Sequence, residues 1–294
     1  MPSELIKKLL EAGVHFGHKT SRWNPKMKKF IFGHRSGIYV IDLEKTEECI
    51  NKAREFLMET SSKGEFVLFV GTKKQAQEVI LKEALRCGMY YVTERWPGGL
   101  LTNFSTIKKR VARLREIEKM KEDGTYQSFT KKEIAVLEKE LAKLKKNFAG
   151  IANMENIPKA VFVVDTKKEE TAVREANRLS IPIVGLIDTN SDPDLVAYPI
   201  PGNDDATKSI SAVAGIIADT VLEGRKKFLS YLSHEGVELK QDSSAGQEAS
   251  GELPEIEVIE ENVDDKEVSA EDKPLKKGRP VKPQEDKMKT RKRA

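Results

Sequence analysis

Four short apolar runs punctuate the chain: IYVIDL at 38–43, FVLFVGT at 66–72, AVFVVD at 160–165 and IPIVGLID at 181–188. They are rich in Val, Ile and Phe and show no polar alternation, which suits strands buried on both faces of a parallel sheet. Residues 44–60, 74–87, 168–179 and 204–232 instead repeat apolar positions at spacings of three and four, which predicts amphipathic helices. Strand and helix thus alternate. The pattern predicts an α/β protein with a flavodoxin-like, doubly wound parallel sheet. Ligand sites in such folds lie beyond the carboxyl ends of the strands, here Asp42, Gly71-Thr72, Asp165 and Asp188.

The alternation is interrupted between Asn103 and Asn147. Phe104, Ile107, Val111, Leu114 and Ile117 keep helical spacing, and so do Ile134, Leu137, Leu141, Leu144 and Phe148 beyond Asp123-Gly124. This predicts an inserted antiparallel helical hairpin, a coiled coil, with Gly124 ending the first arm and Thr130 with Glu133 forming a capping box. The organisation read from the pattern is an α/β domain over 1–104 and 148–240, the hairpin over 105–147, and a tail over 241–294.

Composition changes the picture at the tail. Of 294 residues only 38% are hydrophobic and 33% are charged, against roughly 45–50% and 25% in an ordinary globular chain. The excess charge is concentrated after residue 240. Residues 241–272 hold 12 acids and one base, and residues 273–294 hold ten bases and two acids. Such a composition cannot bury enough apolar surface to offset chain entropy, so the tail is expected to be disordered. The net charge of +4 therefore conceals a more basic body, which favours a polyanionic partner.

Cys49 and Cys87 show no metal-type or redox spacing, and no signal peptide or apolar run of membrane-spanning length is visible. A reduced, cytoplasmic location without a membrane partner is expected. Enzymatic motifs are sparse. FVGTKKQ superficially resembles a phosphate loop but lacks the full G-x-x-x-x-G-K-[ST] spacing, and no H-E-x-x-H, G-x-S-x-G or G-x-G-x-x-G occurs. A phosphate-handling α/β enzyme such as a sugar isomerase, using Gly71-Thr72-Lys73 and Asp188, stays as the alternative reading.

Basic and aromatic residues interleave in two places. The first holds Lys19, Arg22, Trp23, Asn24, Lys26, Lys28, Lys29, His34 and Arg35 around Phe30 and Phe32. The second runs through Arg95, Trp96 and paired glycines to Asn103, then Lys108, Lys109 and Arg110. Cations neutralise phosphates and aromatic rings stack on unpaired bases, so structured RNA is the natural target. Trp96 also reads as the hydrophobic anchor of a tight turn, and both roles can hold together.

His18, Asp188, Asp204 and Asp205 converge at the carboxyl edge if the sheet is wound as predicted. One imidazole and several carboxylates suit a divalent metal, with the nitrogen favouring a transition ion. The alternative is that Asp204 or Asp205 caps the last helix while Asp188 bonds loop backbone. Apart from such an ion, no cofactor is expected.

Several segments are familiar. Residues 10–18, LEAGVHFGH, with RWNPKM at 22–27, RWPGGLLTNF at 95–104, PKAVFVVD at 158–165 and IPGNDD at 200–205, resemble the family of the second protein of the bacterial small ribosomal subunit. The resemblance runs in order over about residues 1–232. It implies a non-catalytic ribosomal protein with a flavodoxin-like domain and an inserted hairpin. The implied partners are small-subunit ribosomal RNA and neighbouring small-subunit proteins, including the large messenger-binding protein, with no small-molecule substrate. Pro97 stands where family members usually carry an aliphatic residue, and nothing transfers onto the tail.

Overall fold

The computed structural model describes residues 3–234, so the predicted charged tail lies outside the described residues. The chain opens with helix α1 (Glu4–Glu11), where the Ser3 hydroxyl accepts the Ile6 N–H at 3.1 Å. Three short strands follow, β1 (Phe16–Lys19), β2 (Ile31–Arg35) and β3 (Ile38–Ile41), in an antiparallel sheet of order β1-β3-β2. The run at 38–43 was expected in the parallel sheet, and this is a correction. Ser36 and Gly37 both take positive φ, 52° and 75°, which makes the two-residue turn of a β-hairpin and returns β3 onto β2. Asp42 is likewise no strand-end ligand. Its carboxylate accepts the Glu44 N–H at 3.1 Å and caps helix α2 (Leu43–Ser62).

The main sheet comprises β4 (Val67–Val70), β5 (Tyr90–Val92), β6 (Ala160–Val164), β7 (Ile183–Ile187) and β8 (Tyr198–Pro201). All four pairings are parallel, in the order β5-β4-β6-β7-β8. Counted within this sheet the order is 2-1-3-4-5, that of flavodoxin-like folds. The two strands not foreseen, β5 and β8, are its edges. One has three residues, and the other carries Pro199 and Pro201, which only an edge strand tolerates well.

Strand alternation divides the core in two. Val67, Phe69, Ala160, Phe162, Val164, Val184 and Leu186 face α2, α3 (Lys74–Cys87) and the long α7 (Thr207–His234). On that face the rings of Phe69 and Phe162 meet edge to face at 5.5 Å. Leu68, Val70, Val161, Val163, Ile183 and Ile187 face the other way, toward α6 (Glu170–Arg178).

That second cluster also takes in Ile107, Leu114 and Ile117 of α4 (Phe104–Glu122) and Leu141, Leu144 and Phe148 of α5 (Lys131–Phe148). The helices are joined through Gly124, at φ 71°, and α5 begins with the expected capping box of Thr130 and Glu133. The lower turns of α4 and α5 are thus continuous with the sheet's apolar layer.

Candidate functional site at the carboxyl edge and the basic surface

The strand order reverses between β4 and β6, and there the crevice is filled by the protein's own side chains. Thr72 donates its N–H to Glu169 at 3.3 Å and its hydroxyl to the same oxygen, while Lys168 Nζ donates to the Thr72 carbonyl at 3.0 Å. Asp165 ends β6 at φ 62°, in the left-handed region, with its carboxylate accepting the Lys168 N–H at 3.0 Å.

Lys73 closes the arrangement. Its Nζ lies 2.8 Å from Asp204 Oδ1, 2.5 Å from Asp205 Oδ1 and 3.4 Å from Asp165 Oδ2. Burial works against the ammonium, but hydrogen bonds to Asp204 and Asp205 outweigh it and hold the Lys73 pKa above its ordinary value. The phosphate-binding alternative needed this lysine free, and three carboxylates occupy it instead.

Beside it the structure brings together the four acid and imidazole groups singled out above. The His18 N–H donates to Asp188 Oδ1 at 3.2 Å and to Thr189 Oγ1 at 3.0 Å. His18 Nδ1 lies 2.9 Å from Asp188 Oδ2, in ion-pair range but off the line of a good hydrogen bond, and Nε2 lies 3.5 Å from Asp205 Oδ2. The close approach of β1 to the loop after β7 depends on Gly17, where a Cβ would stand 2.6 Å from Thr189 Cγ2.

Asp204 is wholly buried, and its Oδ2 has no hydrogen-bond partner among the described residues. Burial, then the charges of Asp165 and Asp188, push its pKa up to about 7 against the pull of Lys73. The Asp188 carboxylate beside the ring raises the His18 pKa against the effect of burial. One ligand atom each from His18, Asp188 and Asp204 lie within 4.8 Å of one another.

The capping alternative is corrected for both acids. Asn203 Oδ1 accepts the N–H groups of Asp205 at 2.8 Å and Ala206 at 3.2 Å, leaving both aspartates turned to Lys73. Asp188 does bond loop backbone, taking the Thr189 N–H at 2.5 Å.

The basic segments divide into committed and free groups. Lys26 is held by Asp192 at 2.8 Å and Asp194 at 2.9 Å. Trp23 packs against Tyr39 with ring centroids 5.1 Å apart, and Asn24 accepts the Lys26 N–H at 3.0 Å. Lys19, Arg22, Lys28, Lys29, His34 and Arg35 are exposed, on the 3-10 turns and strands of the small sheet. Lys109 and Arg110 are exposed on α4, where Lys108 lies over the Phe104 ring at 5.1 Å, and Asn103 accepts the Thr106 hydroxyl at 2.8 Å.

Trp96 is buried, 7% exposed, and its indole N–H donates to Glu175 at 3.0 Å. The same carboxylate accepts the N–H groups of Gly99, Leu101 and Thr102 at 2.8, 3.1 and 3.2 Å and the Thr102 hydroxyl at 3.1 Å. Glu175 was not singled out from the sequence. A signal was present, since its place in α6 falls among Ala172, Val173 and Ala176, on the buried face of the helix.

The structure is thus an α/β sheet whose reversal point is closed by internal ion pairs and whose exposed cations, unpaired among the described residues, lie outside it. Comparison with known proteins narrows the class. A family model described as Ribosomal protein S2 matches residues 9–224. Small ribosomal subunit protein uS2 of Syntrophobacter fumaroxidans is 57% identical over 222 residues, covering 76% of this chain and 81% of that relative. The protein of that name from Treponema pallidum is 53% identical over 244 residues, covering 83% and 82%.

The chain belongs to the ribosomal protein S2 family, structural and non-enzymatic proteins of the small ribosomal subunit that serve translation, and its place is the ribosome. The sugar-isomerase alternative falls with that assignment. No helix among the described residues is long and apolar enough to cross a membrane.

Burial opposes the charge of Glu175, but hydrogen bonds from Trp96 and from the backbone of Gly99, Thr102 and Leu101 lower its pKa. A carboxylate depressed in the folded state stabilises it above its unfolded value and loses that contribution as pH falls through the folded one. Glu175→Gln is expected to lower unfolding free energy by about 2–3 kcal/mol near neutral pH. Urea titrations of both proteins across acidic pH check this, with the gap closing as pH drops below the ordinary glutamate range.

Proposed function

We propose that this protein is a structural component of the small subunit that binds small-subunit ribosomal RNA and supports docking of the large messenger-binding protein. The observation that carries RNA binding is the row of exposed cations on the N-terminal sheet, Lys19, Arg22, Lys28, Lys29 and Arg35, for which no acidic partner lies within ion-pair distance among the described residues. Cations with no internal partner are available to phosphates, and a small sheet with two 3-10 turns holds them in place before RNA arrives. In this reading α4 and α5 form an antiparallel coiled-coil arm. Their shared apolar seam and the Arg113–Glu140 and Lys145–Glu118 pairs, at 3.5 and 2.9 Å, support it. The arm's outward cations then meet RNA or a neighbour.

Docking of the messenger-binding protein comes from the family resemblance. A patch on the N-terminal sheet and the adjoining helix α1 suits such a contact: Phe32 is 81% exposed, with Leu10 and Phe16 half exposed, and a groove runs past Phe32, His15 and the start of α2 at Leu43. Exposed aromatic and aliphatic groups gathered on a basic surface favour a protein contact beside the RNA.

A divalent ion at His18, Asp188 and Asp204, with Asp205 at its margin, belongs to the same reading. The donor set fits. Asp204 presents a wholly buried oxygen without a partner, and Lys73 leaves three nearby carboxylates incompletely neutralised. The mixed imidazole and carboxylate set favours zinc or a similar transition ion over magnesium. Its role would be to tie β1 to the edge of the main sheet.

Three measurements follow from these arguments. Small subunits carrying Arg22→Ala, Lys28→Ala and Lys29→Ala together should release the protein at lower salt, with the salt dependence of binding flattened by about one unit of slope per lost phosphate contact. Lys26→Ala, which removes an internally paired cation, should change little, and release of both variants at the wild-type salt concentration would count against the segment as anchor. Phe32→Ala subunits should keep this protein but retain several-fold less of the messenger-binding protein after washing, as read by quantitative mass spectrometry. Elemental analysis of the purified protein should find about one transition ion per chain, lost in Asp204→Asn, and a metal-free wild type ends the metal proposal.

A further inference from the structure

A second groove lies away from the carboxyl edge, between residues 95–98 and the facing turns of α4 and α5. Its volume is about 620 Å³, within the range of small-ligand sites. Three cations line it, Arg95, Arg110 and Lys143, all exposed and none within ion-pair distance of an acid among the described residues. Its single acid, Glu140, lies 3.5 Å from Arg113. Between the cations the groove floor carries the edges of Trp96, Ile107, Leu144 and Phe148, with Asn147 beside them.

We propose that this groove takes one unstacked nucleotide of the small-subunit RNA, its base on the apolar lining and its phosphates against Arg95, Arg110 and Lys143. The inference rests on the RNA-binding reading above and adds a site to it. The charge favours an anion over a neutral peptide, and an apolar lining beneath cations is what an extruded base with its flanking phosphates requires. The groove is also built in advance. Glu175 fixes one wall by holding the Trp96 indole and the Gly99 amide, and Leu144 and Phe148 anchor the other in the core. A preformed wall loses little ordering entropy when the nucleotide binds.

Gly98 provides a test that moves no charge. A Cβ at this position meets no atom within 4 Å, and Gly98 is not among the glycines with positive φ. Gly98→Phe therefore places a ring at the lip of the groove without backbone strain. Small subunits should be purified with wild-type protein, Gly98→Phe or Lys143→Ala, then analysed by ultraviolet cross-linking and by nucleotide-resolution probing of RNA 2′-hydroxyl reactivity.

The wild type is expected to cross-link one nucleotide to residues 95–98 or 143–148. In both variants that cross-link should fall several-fold and the reactivity of the same nucleotide should change, with the protein still bound at elevated salt. A wild-type cross-link to a peptide of another ribosomal protein would overturn the proposal, as would identical reactivity in wild type and Gly98→Phe. Lys143→Ala removes only an exposed cation, so it keeps the test decisive if the larger side chain weakens folding. Failure of RNA binding altogether would appear separately, as indifference of the Arg22, Lys28 and Lys29 variant to salt.

Discussion

The ammonium of Lys73 is the interaction on which the carboxyl edge depends. It draws together the end of β6, through Asp165, and the turn before α7, through Asp204 and Asp205, from its own place at the start of α3. Asp204 is wholly buried and paired with Lys73, and removing one member of a buried ion pair costs of order 3–5 kcal/mol. Asp205 also faces His18 on β1, as does Asp188 beyond β7, so the small antiparallel sheet and the main sheet meet through one charge cluster. At the strand reversal, where other α/β proteins of this order hold a ligand, the chain's own side chains meet.

That arrangement explains how a common scaffold serves a structural protein. The crevice at the strand reversal is consumed by Thr72, Glu169, Lys73 and Asp165, and the exposed cations lie on surfaces that the sheet supports from behind. Fold and function are separable for this reason, since the site resides in side chains placed on the scaffold. The cations sort accordingly. Lys26 and Lys73 are paired and join elements of the chain, whereas Arg22, Lys28, Lys29, Arg95 and Arg110 are left outward.

Glu175 plays on the opposite sheet face the part that Lys73 plays at the edge. One carboxylate satisfies the amides of Gly99, Leu101 and Thr102 and the Trp96 indole, groups that a tight buried loop would otherwise leave without partners. Gly99 adopts φ 84°, which a larger residue would resist, and this allows the chain to turn back onto the carboxylate. The loop so held forms a wall beside α4 and α5, and this is how a residue in α6 shapes a basic groove it does not line.

By itself the sequence determined the elements whose signals are long or locally chemical. Helix α3 and the core of β4, β6 and β7 follow from apolar period and run length, and the α5 capping box follows from Thr130 and Glu133. The nearness of Asp188 to Asp204 and Asp205 was legible because strand ends in a parallel sheet share one edge, whereas His18 reaches them from the separate antiparallel sheet. Tertiary structure decided the rest. A run of four apolar residues looks the same in a parallel sheet and in a hairpin, so only the turn at Ser36-Gly37 set the place of β3. The edge strand β5 has only three residues, and β8, YPIP, has its apolar run broken by two prolines. The partners of charged groups were the least legible of all. Lys26 meets Asp192 across 166 residues, Lys73 meets Asp204 across 131, and Glu175 meets Trp96 across 79. Charge carries no local period, and pairing over such separations exists only once the chain has folded.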